Sequence, residues 1–393
     1  MTVEVLSLGC RLNLSESEEL RGLLAGGGGD EHLIVVNSCA VTGEAVRQTR
    51  QAIRRARRNR PDARLLVTGC AAEVERETLA AMPEVDGLIA NARKLDPRAW
   101  NLPQGAPRPH VLHTRAFVAV QNGCDHACTF CVIPQGRGTS RSRDLVEVLA
   151  DVARHLDAGS AEVVLTGVDV TSWGADLPGE PRLGALVAAV LNAFPALERL
   201  RLSSLDGVEI DAELLELLGG ERRVMPHVHL SLQSGDDMIL KRMKRRHSRR
   251  DAVSLVDRLR ARRPDIAVGA DIIAGFPTED EAMHARNASI IDELGVVHGH
   301  IFPYSPRPGT PAARMPQVDP ARVKARAADL REAVARQRDR WLAAQVGRPL
   351  KVLAERDGTG HAENFARVRL PQGTRPGTIV AVTPGQVTEG MLA

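Results

Sequence analysis

Six cysteines stand in two sets whose spacing could do chemistry. Cys124, Cys128 and Cys131 fall as C-x3-C-x2-C inside Gln-Asn-Gly-Cys-Asp-His-Ala-Cys-Thr-Phe-Cys-Val-Ile-Pro-Gln-Gly-Arg-Gly, residues 121 to 138. Thiolates are soft ligands that suit iron–sulfur clusters and zinc. A four-iron cluster held by three cysteines keeps one iron without a protein ligand, and a small molecule can bind there. A tetrahedral zinc site would need a fourth ligand. The local candidate is His126, placed between two of the cysteines where joint ligation is awkward. The other set is Cys10, Cys39 and Cys70, each of which closes an apolar run: Val3 to Leu8, Leu33 to Val36, and Leu65 to Val67.

Those runs read as strands, and helical patterns near Ser15 to Ala25, Gly43 to Asn59 and Ala72 to Ala81 lie between or after them. The resulting βαβαβα order favours a parallel sheet, whose strand ends share one edge. Open α/β sheets carry ligands at that carboxyl edge, so Cys10, Cys39 and Cys70 are expected to converge on a shared metal centre. Val85 to Ala90 predicts a further strand. In the helix after Cys39, Val46, Thr49, Ile53 and Ala56 form a packing stripe beside Arg47, Arg50, Arg54 and Arg57. Prolines 97, 103, 107 and 109 with Gly105 predict a linker, because proline removes backbone donors and fixes φ.

Beyond the linker, strand-like runs at Phe117 to Gln121, Glu162 to Thr166, Arg199 to Leu202, His227 to Leu232, Ala267 to Ile273 and His298 to Pro303 alternate with helical stretches. Six βα repeats predict a partial barrel, and such barrels work at the face formed by the carboxyl ends of their strands. The C-x3-C-x2-C loop follows the first of these strands. Gly167 and Asp169, Ser203 and Ser204, Gln233 and Ser234, Gly275 and Tyr304 are expected at the same face. Glycine lets backbone approach a ligand closely and the polar side chains offer hydrogen bonds, although turns at strand ends favour the same residue types. Residues 347 to 393 read as a small β module with Phe365 as its aromatic; short barrels of this kind can bind oligonucleotides.

With 393 residues, 43% of them hydrophobic, the chain can bury two or three cores. It has no run of about 18 apolar residues and no signal-peptide pattern, which predicts a cytoplasmic protein with no membrane partner. In a reducing compartment six cysteines read as ligands or catalysts and not as disulfides. The net charge of +3 does not announce a nucleic-acid partner, but arginines crowd residues 47 to 64 and lysines and arginines crowd 241 to 250. Such clusters can neutralise phosphates or can be ordinary solvated helix faces.

The central loop, with Phe130 just before its last cysteine, resembles the signature of radical S-adenosylmethionine (AdoMet) enzymes. Over essentially the whole chain the order of parts resembles their methylthiotransferase family. The matching pieces are Leu-Gly-Cys10-Arg-Leu-Asn13, Asn37-Ser-Cys39, Thr-Gly-Cys70, the loop from Gly123 to Gly138, Leu-Thr-Gly167-Val-Asp, Leu-Ser-Leu-Gln233-Ser-Gly and Tyr304-Ser-Pro-Arg-Pro-Gly-Thr310. Leu-Gly-Cys-Arg-Leu-Asn looks most like the branch acting on threonylcarbamoyladenosine beside the tRNA anticodon, as does Met-Lys-Arg-Arg-His after the glutamine motif. The isopentenyladenosine branch and the branch modifying an aspartate of a ribosomal protein are the alternatives within the family. A zinc-stabilised RNA-binding protein without catalysis is the alternative outside it.

The resemblance implies an α/β chain in three parts. Residues 1–108 would carry an auxiliary cluster, 109–346 the radical-AdoMet barrel, partial (βα)6, and 347–393 a TRAM-like β-barrel that engages RNA. It implies two [4Fe-4S] clusters, one on Cys124, Cys128 and Cys131 that splits AdoMet to a 5′-deoxyadenosyl radical, the other on Cys10, Cys39 and Cys70 that presents sulfur. Phe130, Gly167, Ser203 and Gln233 would contact AdoMet. tRNA, a reducing protein such as a flavodoxin or ferredoxin, and a sulfur donor would be the partners.

Overall fold

The computed structural model describes residues 2–25, 32–102 and 114–393. The linker prolines 103, 107 and 109, Gly105 and the glycine run at 26–29 lie outside the described residues. Packing divides the chain into one unit of Met1–Leu112, Gln121–Arg141 and Ser305–Thr310, and another of His113–Val120, Ser142–Tyr304 and Pro311–Ala393. The segment holding Cys124, Cys128 and Cys131 therefore belongs to the first unit.

That unit is built on four parallel strands in chain order, β1 (Thr2–Ser7), β2 (His32–Ser38), β3 (Arg64–Gly69) and the short β4 (Gly87–Leu88). Val5 pairs with Val35, and Val35 with Leu66, a register that stacks β-branched and leucine side chains inside the sheet. Helices α1 (Arg11–Ala25) and α2 (Gly43–Asn59) connect the strands. Thr42 caps α2 by accepting from the Ala45 amide, and Val46, Thr49, Ala52, Ile53 and Ala56 are its buried stripe. Helix α1 starts at Arg11, earlier than its apolar pattern predicts, because Asn13, Ser15, Glu16, Ser17 and Glu18 are themselves buried. The expected helix over 72–81 is two short ones, α3 (Cys70–Val74) and α4 (Arg76–Ala80), broken at Glu75.

The second unit carries six parallel strands: β5 (Arg115–Ala119), β6 (Glu162–Thr166), β7 (Arg199–Leu202), β8 (His227–Gln233), β9 (Ala267–Ala274) and β10 (Val296–Pro303). They form two three-stranded sheets, β5-β6-β7 and β8-β9-β10, bridged where Leu205 pairs with Leu230. This is the expected partial barrel. Capping residues sit where the sequence needs them: Asp144, Asp211 and Asp280 each accept from an amide of the first turn, and Ser248 and Asp251 make a reciprocal capping box. One core of Val, Leu and Ile from strands and helices fills the unit, with Trp173 its largest ring. The C-terminal strands, from Leu350–Ala354 to Met391–Leu392, make a six-stranded sheet over a smaller core of Leu350, Val352, Val368 and Leu392 with Leu342.

Candidate metal centres

In the first unit, β1, β2 and β3 each run out at a carboxyl end and deliver Cys10, Cys39 and Cys70 to one edge. All six cysteines of the chain are free thiols. Gly9 holds φ +100°, and a Cβ there would stand 2.5 Å from Cys39 Cβ, so no other residue type lets the backbone just before Cys10 approach Cys39 this closely. Cys39 and Cys70 are buried while Cys10 is exposed. Burial pushes the Cys39 thiol up to about 11, and the neighbouring Cys10 and Cys70 add to the shift. Burial raises the Cys70 thiol too, opposed by Arg137 and Lys94. Cys39 and Cys70, two thiols that burial holds protonated in protein alone, stand with Cys10 at one sheet edge, and a cationic centre there would stabilise their thiolates.

Behind the trio lies a charged cluster that the sequence did not announce. Glu16, on the inward face of α1, accepts from Lys94 Nζ at 2.5 Å and from Arg137 Nη1 at 2.8 Å, all three side chains being almost fully buried. Burial pushes Glu16 up, and the two cations together pull its pKa below the ordinary carboxylate value. Arg137 also donates through Nε to Cys70 Sγ at 3.2 Å, through Nη1 to Asn122 at 2.8 Å, and through Nη2 to Asn13. Asn13 Nδ2 in turn binds the carbonyls of Leu8 and Ser38 at 2.7 and 2.9 Å, and Asn37 Nδ2 binds the Asn13 carbonyl at 2.9 Å. Two buried cations face one buried carboxylate, so the cluster holds an excess positive charge beside the cysteines. That excess complements thiolate ligands.

The second set shares this unit. Cys124 donates its amide to the Gly138 carbonyl at 3.1 Å, closing the loop, and Cys131 donates to the Cys128 carbonyl at 3.2 Å. Backbone amides of His126 and Ile133 point at the sulfurs of Cys124 and Cys131, both at 3.4 Å, the amide-to-sulfur geometry that holds a thiolate in place. After Cys131 the chain turns into α5 (Ile133–Arg137), which presents Arg137 to the first set. Gly136 within it lies so close that an added Cβ would sit 3.1 Å from Cys70 Cβ, and its carbonyl accepts from Asn91 Nδ2 at 2.6 Å. Arg307, from the Tyr-Ser-Pro-Arg segment, pairs with Glu75 at 2.7 Å, and Ser305 Oγ accepts the Gly43 amide at 2.9 Å.

The remaining sequence candidates fall where strand counting puts them. Phe130 is half-buried in the cysteine loop of the first unit. In the second unit Gly167 follows β6, Ser203 follows β7 and Gln233 ends β8 with φ +67°. The Ser203 hydroxyl is buried without a hydrogen-bond partner among the described residues. An orphaned polar atom at a strand's carboxyl end is what a bound polar ligand satisfies.

Several members of both arginine-rich runs pair with acids, while Arg47, Arg54, Arg55, Arg58, Lys241, Lys244 and Arg250 stay exposed. Arg50, Arg54 and Arg57 of α2 pair with Glu75, Glu84 and Asp86 at 3.6, 3.8 and 2.6 Å, and Arg47 pairs with Glu44. Arg245 and Arg246 both bind Asp206, and Arg249 reaches the Gly235 and Arg286 carbonyls and Glu293. Phe365 is likewise occupied, stacked on His227 and His361 with ring centroids 5.0 and 4.5 Å away and covered by Arg201.

Comparison with known proteins agrees with this architecture. The Radical SAM superfamily profile matches residues 118–287, and that of uncharacterized protein family UPF0004 matches residues 2–90. Threonylcarbamoyladenosine tRNA methylthiotransferase MtaB of Rickettsia prowazekii is 43% identical over 99% of this chain and 96% of its own length. The tRNA-2-methylthio-N(6)-dimethylallyladenosine synthase of Erythrobacter litoralis is 33% identical over 91% of this chain and 87% of its own. Among solved structures, the radical AdoMet methyltransferase TsrM of Kitasatospora setae shares the fold with a TM-score of 0.51 at 16% identity, over 76% of this chain and 68% of that one. Fold and profiles define a radical-AdoMet enzyme that uses [4Fe-4S] clusters and AdoMet. Within that class the chain belongs to the tRNA methylthiotransferases, enzymes of tRNA modification. Among the described residues no helix is long and apolar enough to cross a membrane.

Proposed function

We propose that this chain adds a methylthio group to C2 of N6-threonylcarbamoyladenosine next to the tRNA anticodon. The observation that carries the reading is the near full-length identity to a relative named for that nucleoside, higher than the identity to the relative named for dimethylallyladenosine. The latter nucleoside is the second reading, since its relatives also align over about nine-tenths of the chain.

Cys124, Cys128 and Cys131 are assigned as ligands of the AdoMet-cleaving cluster, and Cys10, Cys39 and Cys70 as ligands of the sulfur-presenting one. When bound, the clusters and AdoMet supply the electron, the radical and the activated sulfur. The chain's own task is positioning and water exclusion. Arg137 holds the two cysteine segments in register and puts an N–H on Cys70 Sγ, while Asn13 and Asn37 fix the backbone that carries Cys10 and Cys39. Phe130 gives the first cluster an apolar wall. The Gly167 backbone and the Ser203 and Gln233 side chains bind the polar groups of AdoMet. Residues 1–108, 109–346 and 347–393 serve as auxiliary-cluster domain, barrel and RNA-engaging module. A flavodoxin- or ferredoxin-like reductant and a sulfur donor complete the set of partners, in the cytoplasm.

The test is mass spectrometry of nucleosides from tRNA of a strain lacking the gene, with and without the chain restored. Loss and return of 2-methylthio-N6-threonylcarbamoyladenosine is the expected result. Loss of the methylthio dimethylallyl nucleoside instead would move the assignment to the second reading.

A further inference from the structure

We propose that His229, Asp271 and His300, three neighbours on adjacent strands of one sheet of the second unit, form a binding site for a divalent first-row transition ion such as zinc or ferrous iron. The site is independent of the nucleoside assigned above.

The three residues come from adjacent parallel strands. Asp271 of β9 is the register partner of His300 on β10, and His229 of β8 is the partner of Gly269, two residues before Asp271 and so on the same face of the sheet. Their donor atoms meet at one point. His229 Nε2 and His300 Nδ1 each stand 3.0 Å from the same oxygen, Oδ1 of Asp271, and all three atoms lie within 4.8 Å of one another. Ligands bonded to one ion at about 2.0–2.2 Å are separated from each other by roughly this distance. An ion can therefore enter with small side-chain adjustment.

A simple structural cluster of hydrogen bonds would account for the contacts but not for the charge. Asp271 makes ion pairs with the two imidazoles and with no guanidinium or ammonium among the described residues. An imidazole carries a full positive charge only when protonated, whereas a divalent ion compensates a half-buried carboxylate such as Asp271 at any pH that keeps the ligands deprotonated. The glycine at 269 is also explained. A Cβ there would stand 2.3 Å from His229 Nδ1, so its absence seats the imidazole against the strand.

Two imidazoles and one carboxylate leave coordination positions free, the donor set of open ferrous and zinc sites. His300 is the exposed member, its ring 4.6 Å from that of His229 and 6.4 Å from that of Phe302. Through that side, water or an oxygen donor of a substrate can complete the shell. The trio sits four residues back along β9 from Gly275, about 13 Å beneath the strand ends where AdoMet contacts are expected. It is a site separate from those strand-end contacts.

The experiment loads the full-length, cluster-containing enzyme with zinc, removes loose metal by desalting, and measures zinc and iron per chain by mass spectrometry. Zinc is absent from the clusters, so the two counts report different sites. The wild type is expected to keep about one zinc per chain, and His300→Gln and Asp271→Asn to keep at least about tenfold less with iron content and melting temperature unchanged. His300 is exposed, so His300→Gln tests the site without threatening the fold. Cobalt(II) is the second probe: oxidised four-iron clusters are diamagnetic, so a high-spin cobalt resonance is visible beside them. It is expected in the wild type and lost in both variants. A wild type that keeps no zinc, or variants that keep as much zinc and cobalt as the wild type, would overturn the proposal.

Discussion

Arg137 Nε stands 3.2 Å from the sulfur of Cys70, joining the segment that carries one cysteine set to a cysteine of the other. The same guanidinium is paired with Glu16, which is paired with Lys94, and the whole group is out of water. Removing one member of a buried charged group costs about 3–5 kcal/mol, because its partner is left uncompensated. Arg137→Ala leaves Cys70 without its N–H donor and Glu16 with Lys94 alone. The expected outcome is a lower melting temperature together with reduced iron after anaerobic reconstitution. Arg137→Lys keeps the charge but not the planar fork, and should restore much of the melting temperature while the Cys10/Cys39/Cys70 centre remains under-loaded.

Gly9→Ala adds one carbon and asks for a left-handed backbone that alanine resists. The carbon would overlap Cys39, so the strand end must shift. Because the atoms nearest an added carbon at Gly9 belong to Cys39 and Asn13, the strain falls on the first cysteine set, so the iron count should fall by about half, one cluster of two, while AdoMet binding to the other cluster persists. Iron analysis paired with equilibrium AdoMet binding reads both.

His298 is half-buried among aromatic rings, its ring 5.2 Å from Trp341 and 5.6 Å from Phe365 and its Nε2 shielded from water, and this desolvation pushes its pKa down to about 3. Its folded value lies below the unfolded value of about 6.5. The unfolded chain therefore binds a proton that the native state refuses, and the stability this residue contributes is present above about pH 6.5 and lost as pH falls toward 3. The loss is up to about 1.4 kcal/mol per pH unit within that window. Chemical denaturation at a series of pH values should show His298→Leu gaining on the wild type as the solution is acidified. Parallel pH profiles for the two proteins would refute the assignment.

Phe365 binds the C-terminal sheet to the barrel strands through His227, Arg201 and Arg115. Phe365→Ala removes a ring packed on all of these and, the ring being half-buried, is expected to cost about 3 kcal/mol, the low end for such a truncation. Limited proteolysis should then cut between the barrel and residue 350 faster than in the wild type. If residues 347–393 engage RNA as proposed, the same change should reduce tRNA affinity through loosening of the module and not through a lost base stack, because the ring is already covered.

The barrel was legible because its strands are short apolar runs at regular intervals, and because βα repetition is a period that composition cannot hide. Cys10, Cys39 and Cys70 were legible for the same reason: each terminates such a run. Glu16, Lys94 and Arg137 were not. A polar residue on a helix is read as solvent-facing, and nothing local distinguishes Glu16, whose partners lie 78 and 121 positions away in sequence. The helix start at Arg11 was missed for that reason too, since its first turns bury polar groups. In the arginine run of 47 to 64, charge density alone could not show which members are paired: Arg50, Arg54 and Arg57 find acids on segments well removed in sequence, while Arg55, Arg58 and Arg60 stay exposed.

Iron and Mössbauer analysis of the anaerobically reconstituted chain tests the central claim most directly. Two separate three-cysteine centres predict about eight irons per chain, falling to about four when Cys10, Cys39 and Cys70 are replaced together by Ala, with the remaining spectrum still that of a four-iron cluster. A wild type holding about four irons, or a triple variant that keeps about eight, would contradict it.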